Sequence, residues 1–298
     1  MVEFTWVDGG RALYRAIRDI LAARLIAIDT EYDSFRYFRE KLCLIQINTD
    51  RKIFLLDPLG GLDLSFLKAY FADSTVPKIF HAGDNDIRLL KRDYGFEFRN
   101  VFDVQRAAAL LGCKDLALAG IIRTVMGTDL QKSKKIQRSQ WDTRPLSQEQ
   151  ISYAVQDITY LTDLYRIFRK EIMAKGLEEE AARSFEQIAS VSWTEKTLDP
   201  FGHLRIKGSR EMTRSQRTRL KALYRWRFRK AKETNTAMFM ILSDQHLSEL
   251  ARSKIRSLSS LRRSEKLPPG KADRFGPEIV SALNESPDFP AQDRSKNA

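Results

Sequence analysis

Short apolar runs alternate with amphipathic stretches along the first half of the chain. A run of about four to eight apolar residues is typical of a buried strand, whereas apolar residues recurring every three or four positions are typical of a helix. A polar turn at 48–51 suits an antiparallel strand pair around it. The pattern therefore predicts an α/β domain with a mixed sheet flanked by helices. The predicted strands are 25–28, 42–47, 53–56, 78–81 and 101–102, and the predicted helices are 62–72, 85–94, 104–111 and 116–126.

The best-marked helix start lies at Gln148. Ser147 is a good N-cap and Gln150, three positions on, completes a capping box. Asp84 and Asp103 are likewise placed to cap the helices that follow them. The helix from Gln148 then carries one apolar stripe, formed by Ile151, Val155, Ile158 and Leu161.

Charge divides the chain into two parts. Residues 1–190 contain 28 basic and 27 acidic side chains, whereas residues 191–298 contain 23 and 12. A near-neutral body joined to a basic segment favours a catalytic domain, at 1–190, with a nucleic-acid-binding appendage. A basic surface that only aids solubility is the alternative. Glycine, proline and periodicity predict a linker at 191–211, a helical domain at 212–285 and a disordered tail at 286–298.

The composition excludes several classes of protein. Hydrophobic residues make up 43% of the chain, which is enough for a sizeable core and excludes global disorder. No run of about 18 uncharged apolar residues is present, so we expect no membrane span or membrane partner. The first ten residues lack the basic and apolar regions of a secretory signal, so we expect a cytoplasmic protein. Two cysteines and three scattered histidines cannot supply a disulfide framework or a Cys/His metal site.

Two acids follow the first apolar run. Asp29 and Glu31 are separated by Thr30, and alternate side chains of a strand share one face. An acidic pair is costly there unless water or a cation neutralises it. Taken alone, a solvated strand end explains this pair better than a functional site does.

Two further segments carry acids at ordered positions. Asp86 follows His81 and a glycine turn, and it falls in the first turn of a helix, where the dipole favours an acid. His81 is better explained as a packed, hydrogen-bonded residue than as a metal ligand. Tyr153 and Asp157 are four residues apart, so a helix presents them on one face. A packed tyrosine with a capping or paired aspartate explains that spacing equally well.

Together the four acids make a stronger case than any of them alone. Asp29, Glu31, Asp86 and Asp157 lie on three elements of one domain, and their convergence would require bound cations. Hard oxygen ligands of this kind suit Mg²⁺ or Mn²⁺. Two such ions can stabilise the attacking and the leaving oxygen of a phosphoryl displacement.

The order of these motifs resembles that of the DEDD exonucleases with a catalytic tyrosine, and most closely the ribonuclease D family. Segments 44–46, 102–105, 132–133 and 141–146 strengthen the resemblance, which covers about residues 10–180. It implies a ribonuclease H-like fold and a 3′→5′ exonuclease with two Mg²⁺ ions, or Mn²⁺ in their place. By resemblance the metal ligands are Asp29, Glu31, Asp86 and Asp157, and Tyr153 orients or helps to deprotonate the attacking water.

The resemblance also implies binding residues and a second domain. Residues 212–285 resemble the helicase-and-RNase-D C-terminal (HRDC) domain, and since few residues follow them we expect no second domain of that kind. On its first helix, apolar residues are expected on one face and basic residues on the other. By resemblance, the substrate-binding residues are Thr30, Gln46, His81, Lys132 and Arg144.

Three functions remain open at this point. The leading one is a 3′→5′ exoribonuclease that releases nucleoside 5′-monophosphates and, by family, trims tRNA precursors, with a monomer favoured. A DNA 3′→5′ exonuclease would use the same acids, and the sequence does not reveal the 2′-hydroxyl contacts that distinguish RNA. A non-catalytic nucleic-acid-binding module would be favoured if an acid were missing, but all four are present.

Overall fold

The computed structural model describes residues 3–130, 133–268 and 270–285. The chain forms two compact units. Among the described residues, the first comprises 3–33 and 40–194, and the second comprises 34–39 and 195–285. The second unit thus includes a short internal segment that lies within the predicted first domain. The predicted disordered tail at 286–298 lies outside the described residues.

The first unit is built on a six-stranded sheet with the order β1-β4-β3-β2-β5-β6. The β2–β3 and β3–β4 pairs are antiparallel and the other pairs are parallel, so the prediction of a mixed sheet is confirmed. The sequence pattern missed β1, because this edge strand is half-exposed and only four residues long. The strands are β1 (Phe4–Val7), β2 (Ile26–Asp33), β3 (Lys41–Asn48), β4 (Ile53–Leu56), β5 (Lys78–Phe80) and β6 (Val101–Asp103).

Strand β2 is longer than its apolar run. It continues to Asp33, because residues beyond Ile28 pair with β3, Asp29 opposite Gln46 and Glu31 opposite Leu44. The expectation that the acidic pair ends the strand is therefore wrong. Cross-strand pairing extends a strand through polar residues that local hydrophobicity does not mark.

Helices cover both faces of the sheet. One core cluster joins Ile26 and Ile28 to α1, α2 and α3, and a second joins Ala27 to α4, α5, α7 and α8. Successive residues of β2 thus face different helical layers. The helices of this unit are α1 (Gly10–Leu21), α2 (Leu67–Ala72), α3 (Asp84–Tyr94), α4 (Val104–Leu110), α5 (Leu118–Met126), α6 (Lys134–Gln137), α7 (Gln148–Thr159), α8 (Leu161–Lys175) and α9 (Glu178–Ala189).

The helix caps agree with the sequence at two of three positions. The predicted capping box of Ser147 and Gln150 is present, and Asp103 caps α4 by accepting the backbone N–H of Arg106 at 2.9 Å. The prediction that Asp84 is an N-cap is wrong. Gly83 occupies that position, and Asp84 is already helical, so its carboxylate lies beside α3 and pairs with Arg106 at 3.5 Å.

The second unit is helical and has its own core. Phe38 belongs to that core and packs edge-on against Phe228, with ring centroids 5.2 Å apart. Nowhere in the described ranges is a helix both long and apolar enough to cross a membrane. The helices of this unit are α10 (Arg214–Glu233), α11 (Met238–Ile241), α12 (Asp244–Arg252), α13 (Leu258–Arg263) and α14 (Lys271–Asn284).

The longest of these helices, α10, is two-faced as predicted. Leu220, Leu223 and Ala231 are fully buried, whereas its arginines at 217, 225 and 229 are exposed. These three arginines form an exposed basic stripe on α10. The first unit is thus a mixed α/β fold and the second a helical bundle, as the periodicity and the family resemblance predicted.

Lys78 gives a test of the first unit's core. Its side chain is fully buried and its ammonium group donates to the backbone carbonyl of Asp73. Burial lowers the pKa of Lys78 to about 8. Between that value and the ordinary 10.5, the unfolded chain binds a proton that the folded chain has lost. The free energy of unfolding therefore increases with pH across this window, by about 2–3 kcal/mol.

Lys78→Met should remove this contribution and raise stability at neutral pH. Urea unfolding from pH 7 to pH 10 measures it as the difference between the wild-type chain and the variant. Lys68→Met, at an exposed position of α2, is the matched control and should keep the wild-type slope. An identical pH dependence for wild type and Lys78→Met would contradict the assignment.

Candidate active site

Three carboxylates converge beside the middle of the sheet. Asp29 and Glu31 project from β2, and Asp157 projects from α7. One oxygen from each lies within 4.8 Å of the others. Glu31 and Asp157 are buried and Asp29 is half-buried. The same-face spacing predicted for the first two acids is what allows the third, from the helical layer, to join them.

The position of α7 follows from contacts at both of its ends. The capping box at Ser147 fixes its start. Near its end, the side-chain amide of Asn48 on β3 donates to the backbone carbonyls of Ile158 and Thr159 at 3.1 and 3.4 Å. Because both ends are held, the helical period fixes which residues face the sheet, and Asp157 is among them.

Tyr153 lies one helical turn before Asp157 and is hydrogen-bonded to its carboxylate. Its ring packs near Trp141, with centroids 6.1 Å apart, and only 9% of its surface is exposed. Burial, together with the charges of Asp157, Glu31 and Asp29, raises the pKa of Tyr153 above its usual range. The phenol therefore keeps its proton and acts as a hydrogen-bond donor.

Asp86 lies apart from these three carboxylates. It is in the first turn of α3 and accepts a hydrogen bond from the hydroxyl of Thr30, which alternates with Asp29 and Glu31 along β2. Burial raises the pKa of Asp86 to about 6, although the Thr30 hydrogen bond opposes the shift. The structure thus brings three of the four predicted acids into one cluster, and it holds the fourth on Thr30.

A cleft of about 450 Å³ opens on the cluster. Asp29, Glu31, Tyr153 and Asp157 line it, together with predicted binding residues Thr30 and His81. The His81 ring is hydrogen-bonded through Nε2 to the carbonyl of Leu116 at 3.0 Å, as expected of a packed histidine. Its ring still forms part of the cleft wall, so a packing role and a binding role are compatible.

The other predicted binding residues have different surroundings. Arg144 binds the carboxylate of Asp57 with two nitrogens, at 2.6 and 2.7 Å, and also donates to the carbonyl of Cys43. Gln46 is fully buried on β3. Neither lines the cleft. Lys132 lies outside the described residues.

Sequence reasoning missed part of the cleft wall. Lys134 and Gln137 on the short helix α6 line the cleft, as does the segment 117–119. The sequence did carry one signal of anion binding at α6, because residues 132–138 contain four basic side chains and no acid. Residues 117–119 are the N-cap and first residues of α5, and the His81 and Gln105 side chains hold the carbonyl of Leu116 just before them, a tertiary contact that has no local signal.

The cluster fits a hard divalent cation. It supplies carboxylate oxygens within a few ångströms of one another and half-buried, the donor type that Mg²⁺ and Mn²⁺ prefer. Three like charges this close are unfavourable without a counter-ion. The donor chemistry and the spacing therefore both favour a metal site at this point of the sheet.

Comparisons with known proteins define the class. A 3′-5′ exonuclease family model matches residues 4–173, and an HRDC domain model matches residues 216–283. The chain belongs to this 3′-5′ exonuclease family. It is 29% identical to ribonuclease D of Acidiphilium cryptum (strain JF-5), over 92% of this chain and 70% of the relative. It is also 28% identical to the Drosophila melanogaster exosome complex component 10 homolog, but spans only 29% of that protein.

Solved structures narrow the assignment. The structure of Escherichia coli RNase D, an exoribonuclease, aligns with a TM-score of 0.69 at 26% identity, over 97% of this chain and 76% of that one. Brucella melitensis NrnC with bound Mg²⁺ aligns over 58% of this chain and 85% of that one, with a TM-score of 0.51 at 25% identity. The ribonuclease H-like fold and the ribonuclease D resemblance are thereby confirmed, and the chain is a hydrolytic 3′-5′ exoribonuclease of the ribonuclease D type.

Asp157→Asn tests the carboxylate cluster. Removing one of three close charges relieves repulsion, so the metal-free variant should be at least as stable as the wild-type chain. The wild-type chain should gain thermal stability with millimolar Mg²⁺, because a ligand that binds only the folded state stabilises it. The variant should lose most of that gain, together with its cleavage activity.

Thermal unfolding with and without Mg²⁺ measures both effects. Asp163→Asn is the control, because that exposed acid of α8 pairs with Arg166 at 3.0 Å and lies outside the cluster. An equal Mg²⁺ gain in Asp157→Asn and in the wild-type chain would show that the cluster binds no cation.

Proposed function

We propose that the chain removes nucleoside 5′-monophosphates one at a time from the 3′ ends of RNA, and that tRNA precursors are among its substrates. The observation that carries this proposal is the cleft, which brings Asp29, Glu31, Asp157 and Tyr153 together at one open surface. A terminal nucleotide is the part of an RNA that such a short cleft accommodates. We further propose that the chain acts as a monomer in the cytoplasm.

Four carboxylates are proposed to hold two divalent cations, Mg²⁺ or Mn²⁺. Asp29, Glu31 and Asp157 already lie together, and Asp86 is proposed as the fourth ligand, released from Thr30. Bound cations of this kind supply positive charge at the attacking and leaving oxygens of a phosphodiester. The protein's own part is to fix the carboxylates on a rigid strand and helix.

Tyr153 is proposed to orient the attacking water. Its hydroxyl lies among Asp157, Glu31 and Asp29, at the wall of the cleft. The oxygen of that water bonds to the phosphorus of the terminal nucleotide and gives up one proton to the solvent. The bond from that phosphorus to the 3′-oxygen of the preceding nucleotide breaks, and the 3′-oxygen takes up a proton from the solvent. Thr30 and His81 are proposed to contact the departing nucleotide, since both line the cleft.

The similarity to ribonuclease D proteins favours RNA over DNA as the substrate. No contact among the described residues distinguishes the two. Lys134 and Gln137 supply a cation and an amide at the cleft wall, and either can bind a phosphate or a hydroxyl. The direct experiment uses the full chain with Mg²⁺ and 5′-labelled single strands of RNA and DNA of one sequence. We expect a ladder that shortens from the 3′ end on RNA and weaker cleavage of DNA. A preference for DNA, or internal cuts, would reject the proposal.

Tyr153→Phe tests the role of the hydroxyl. The variant keeps the packing of the ring but loses the hydrogen bond to Asp157, and kcat should fall by about 10²- to 10⁴-fold. Tyr165→Phe is the control, because Tyr165 is equally buried, at 9%, but packs on Phe102. Single-turnover cleavage of labelled RNA measures the chemical step. A fall in stability without a fall in kcat would assign Tyr153 to packing alone.

The second unit is proposed to bind RNA through the basic stripe of α10. Arg217, Arg225 and Arg229 are exposed on one helix, where phosphates can reach them. Deleting the unit is a poor test, because Phe38 from the segment 34–39 is part of its core and would lose its packing partners. Charge removal on α10 leaves that core intact.

The triple variant Arg217→Ala, Arg225→Ala, Arg229→Ala should bind structured RNA more weakly. The slope of log K against log[salt] is negative, and each phosphate of a single-stranded segment that the protein no longer neutralises makes it shallower by about 0.7, so three such phosphates make it shallower by about 2. Removing three exposed basic residues of α8, at 169, 170 and 175, is the charge-matched control and should leave the slope unchanged. Equal slopes for both triple variants would assign the stripe to solubility.

A further inference from the structure

Gln46 is a fully buried polar residue in the middle of the sheet. Its side chain is 0% exposed, and neither amide atom has a hydrogen-bond partner among the described residues. A buried amide without partners is strongly unfavourable, because folding removes its hydrogen bonds to water without replacing them. Such a group in the middle of a sheet requires an explanation, because nearly all buried polar side chains have a hydrogen-bond partner.

The contrast with Asn48 shows that the site does not simply tolerate buried amides. Asn48 lies two residues further along β3, so it is on the same face, and it is nearly as buried, at 6%. Its amide donates to two carbonyls at the end of α7. One amide on this face therefore has defined structural partners, whereas the neighbouring amide of Gln46 has none among the described residues.

The register of the sheet places Gln46 beside the carboxylate cluster. It is paired with Asp29 on β2 and with Leu55 on β4. Side chains directly opposite on antiparallel strands share a face, with Cβ atoms about 4.5–5.5 Å apart. The amide, two carbons beyond its Cβ, is thus within reach of the Asp29 carboxylate. The partner chemistry that suits an amide N–H there is a carboxylate oxygen.

We propose that Gln46 is a positioning residue: when a divalent cation binds, its amide, which has no partner among the described residues, donates to the Asp29 carboxylate and holds it in the orientation that the cation requires. This role rests on the proposed metal site. A direct contact with RNA, which the family resemblance implied, is a poorer fit, because the side chain is fully buried and does not line the cleft. Groups that hydrogen-bond to a metal-ligating side chain and orient it commonly contribute a factor of about 10–100 to metal affinity.

Gln46→Met tests this role through Mn²⁺ binding to the full chain, followed by the electron paramagnetic resonance of free Mn²⁺. Methionine keeps the length of the side chain but cannot donate. We expect Mn²⁺ affinity to fall by about 10- to 100-fold. We expect the midpoint of thermal unfolding of the metal-free protein to hold or rise, because an unpartnered amide is removed. Replacing a glutamine that serves only packing would lower the midpoint of thermal unfolding and leave Mn²⁺ affinity unchanged, so the two readouts together distinguish the two roles.

Leu55→Met is the matched control. Leu55 is also 0% exposed and is paired with Gln46 on the side away from Asp29, so the same methionine enters the same layer. It should leave Mn²⁺ affinity near the wild-type value. Gln46→Leu repeats the test with a branched side chain, and loss of folding in both Gln46 variants would overturn the proposal.

The remaining outcomes separate this role from the metal site itself. If the wild-type chain binds no Mn²⁺, the metal site is wrong and the role of Gln46 falls with it. If the wild-type chain and Gln46→Met bind Mn²⁺ equally well, the metal site stands and only the role of Gln46 is overturned.

Discussion

The alternation of side chains along β2 is the constraint on which the rest of the first unit depends. Ile26, Ile28 and Thr30 face α1, α2 and α3, whereas Ala27, Asp29 and Glu31 face the layer that contains α7. A slip of one residue in the pairing with β3 would exchange the two sets, burying the acids among aliphatic side chains. The hydrophobic residues at the start of the strand therefore fix where its carboxylates lie.

A cluster of like charges needs rigid support elsewhere in the fold. Here the capping box of α7 and the Asn48 amide hold Asp157 against β2. Arg144 and Asp57 form a bidentate pair that ties the chain just before α7 to the end of β4. These contacts stabilise a geometry that the carboxylates by themselves would disfavour, so binding of a cation needs little rearrangement of the backbone.

The sequence predicts most of this arrangement where signals are local or ordered along the chain. The capping box at Ser147, the i, i+4 pair of Tyr153 and Asp157, and the acidic pair of β2 are such signals. What it could not predict depends on pairing across the sheet: the extension of β2 to Asp33, the half-exposed edge strand β1 and the burial of Gln46. The separation of Asp86 from the other acids, by its bond to Thr30, is likewise tertiary and leaves no mark in spacing.

We propose that the cluster of Asp29, Glu31 and Asp157 is a cation site and the centre of the exonuclease. Anomalous scattering from crystals of the full chain grown with Mn²⁺ tests it most directly, because the signal locates the ion without reference to activity. We expect a peak within coordination distance of carboxylate oxygens of Asp29, Glu31 and Asp157. Well-occupied Mn²⁺ peaks elsewhere on the chain, with none at these three carboxylates, would contradict it.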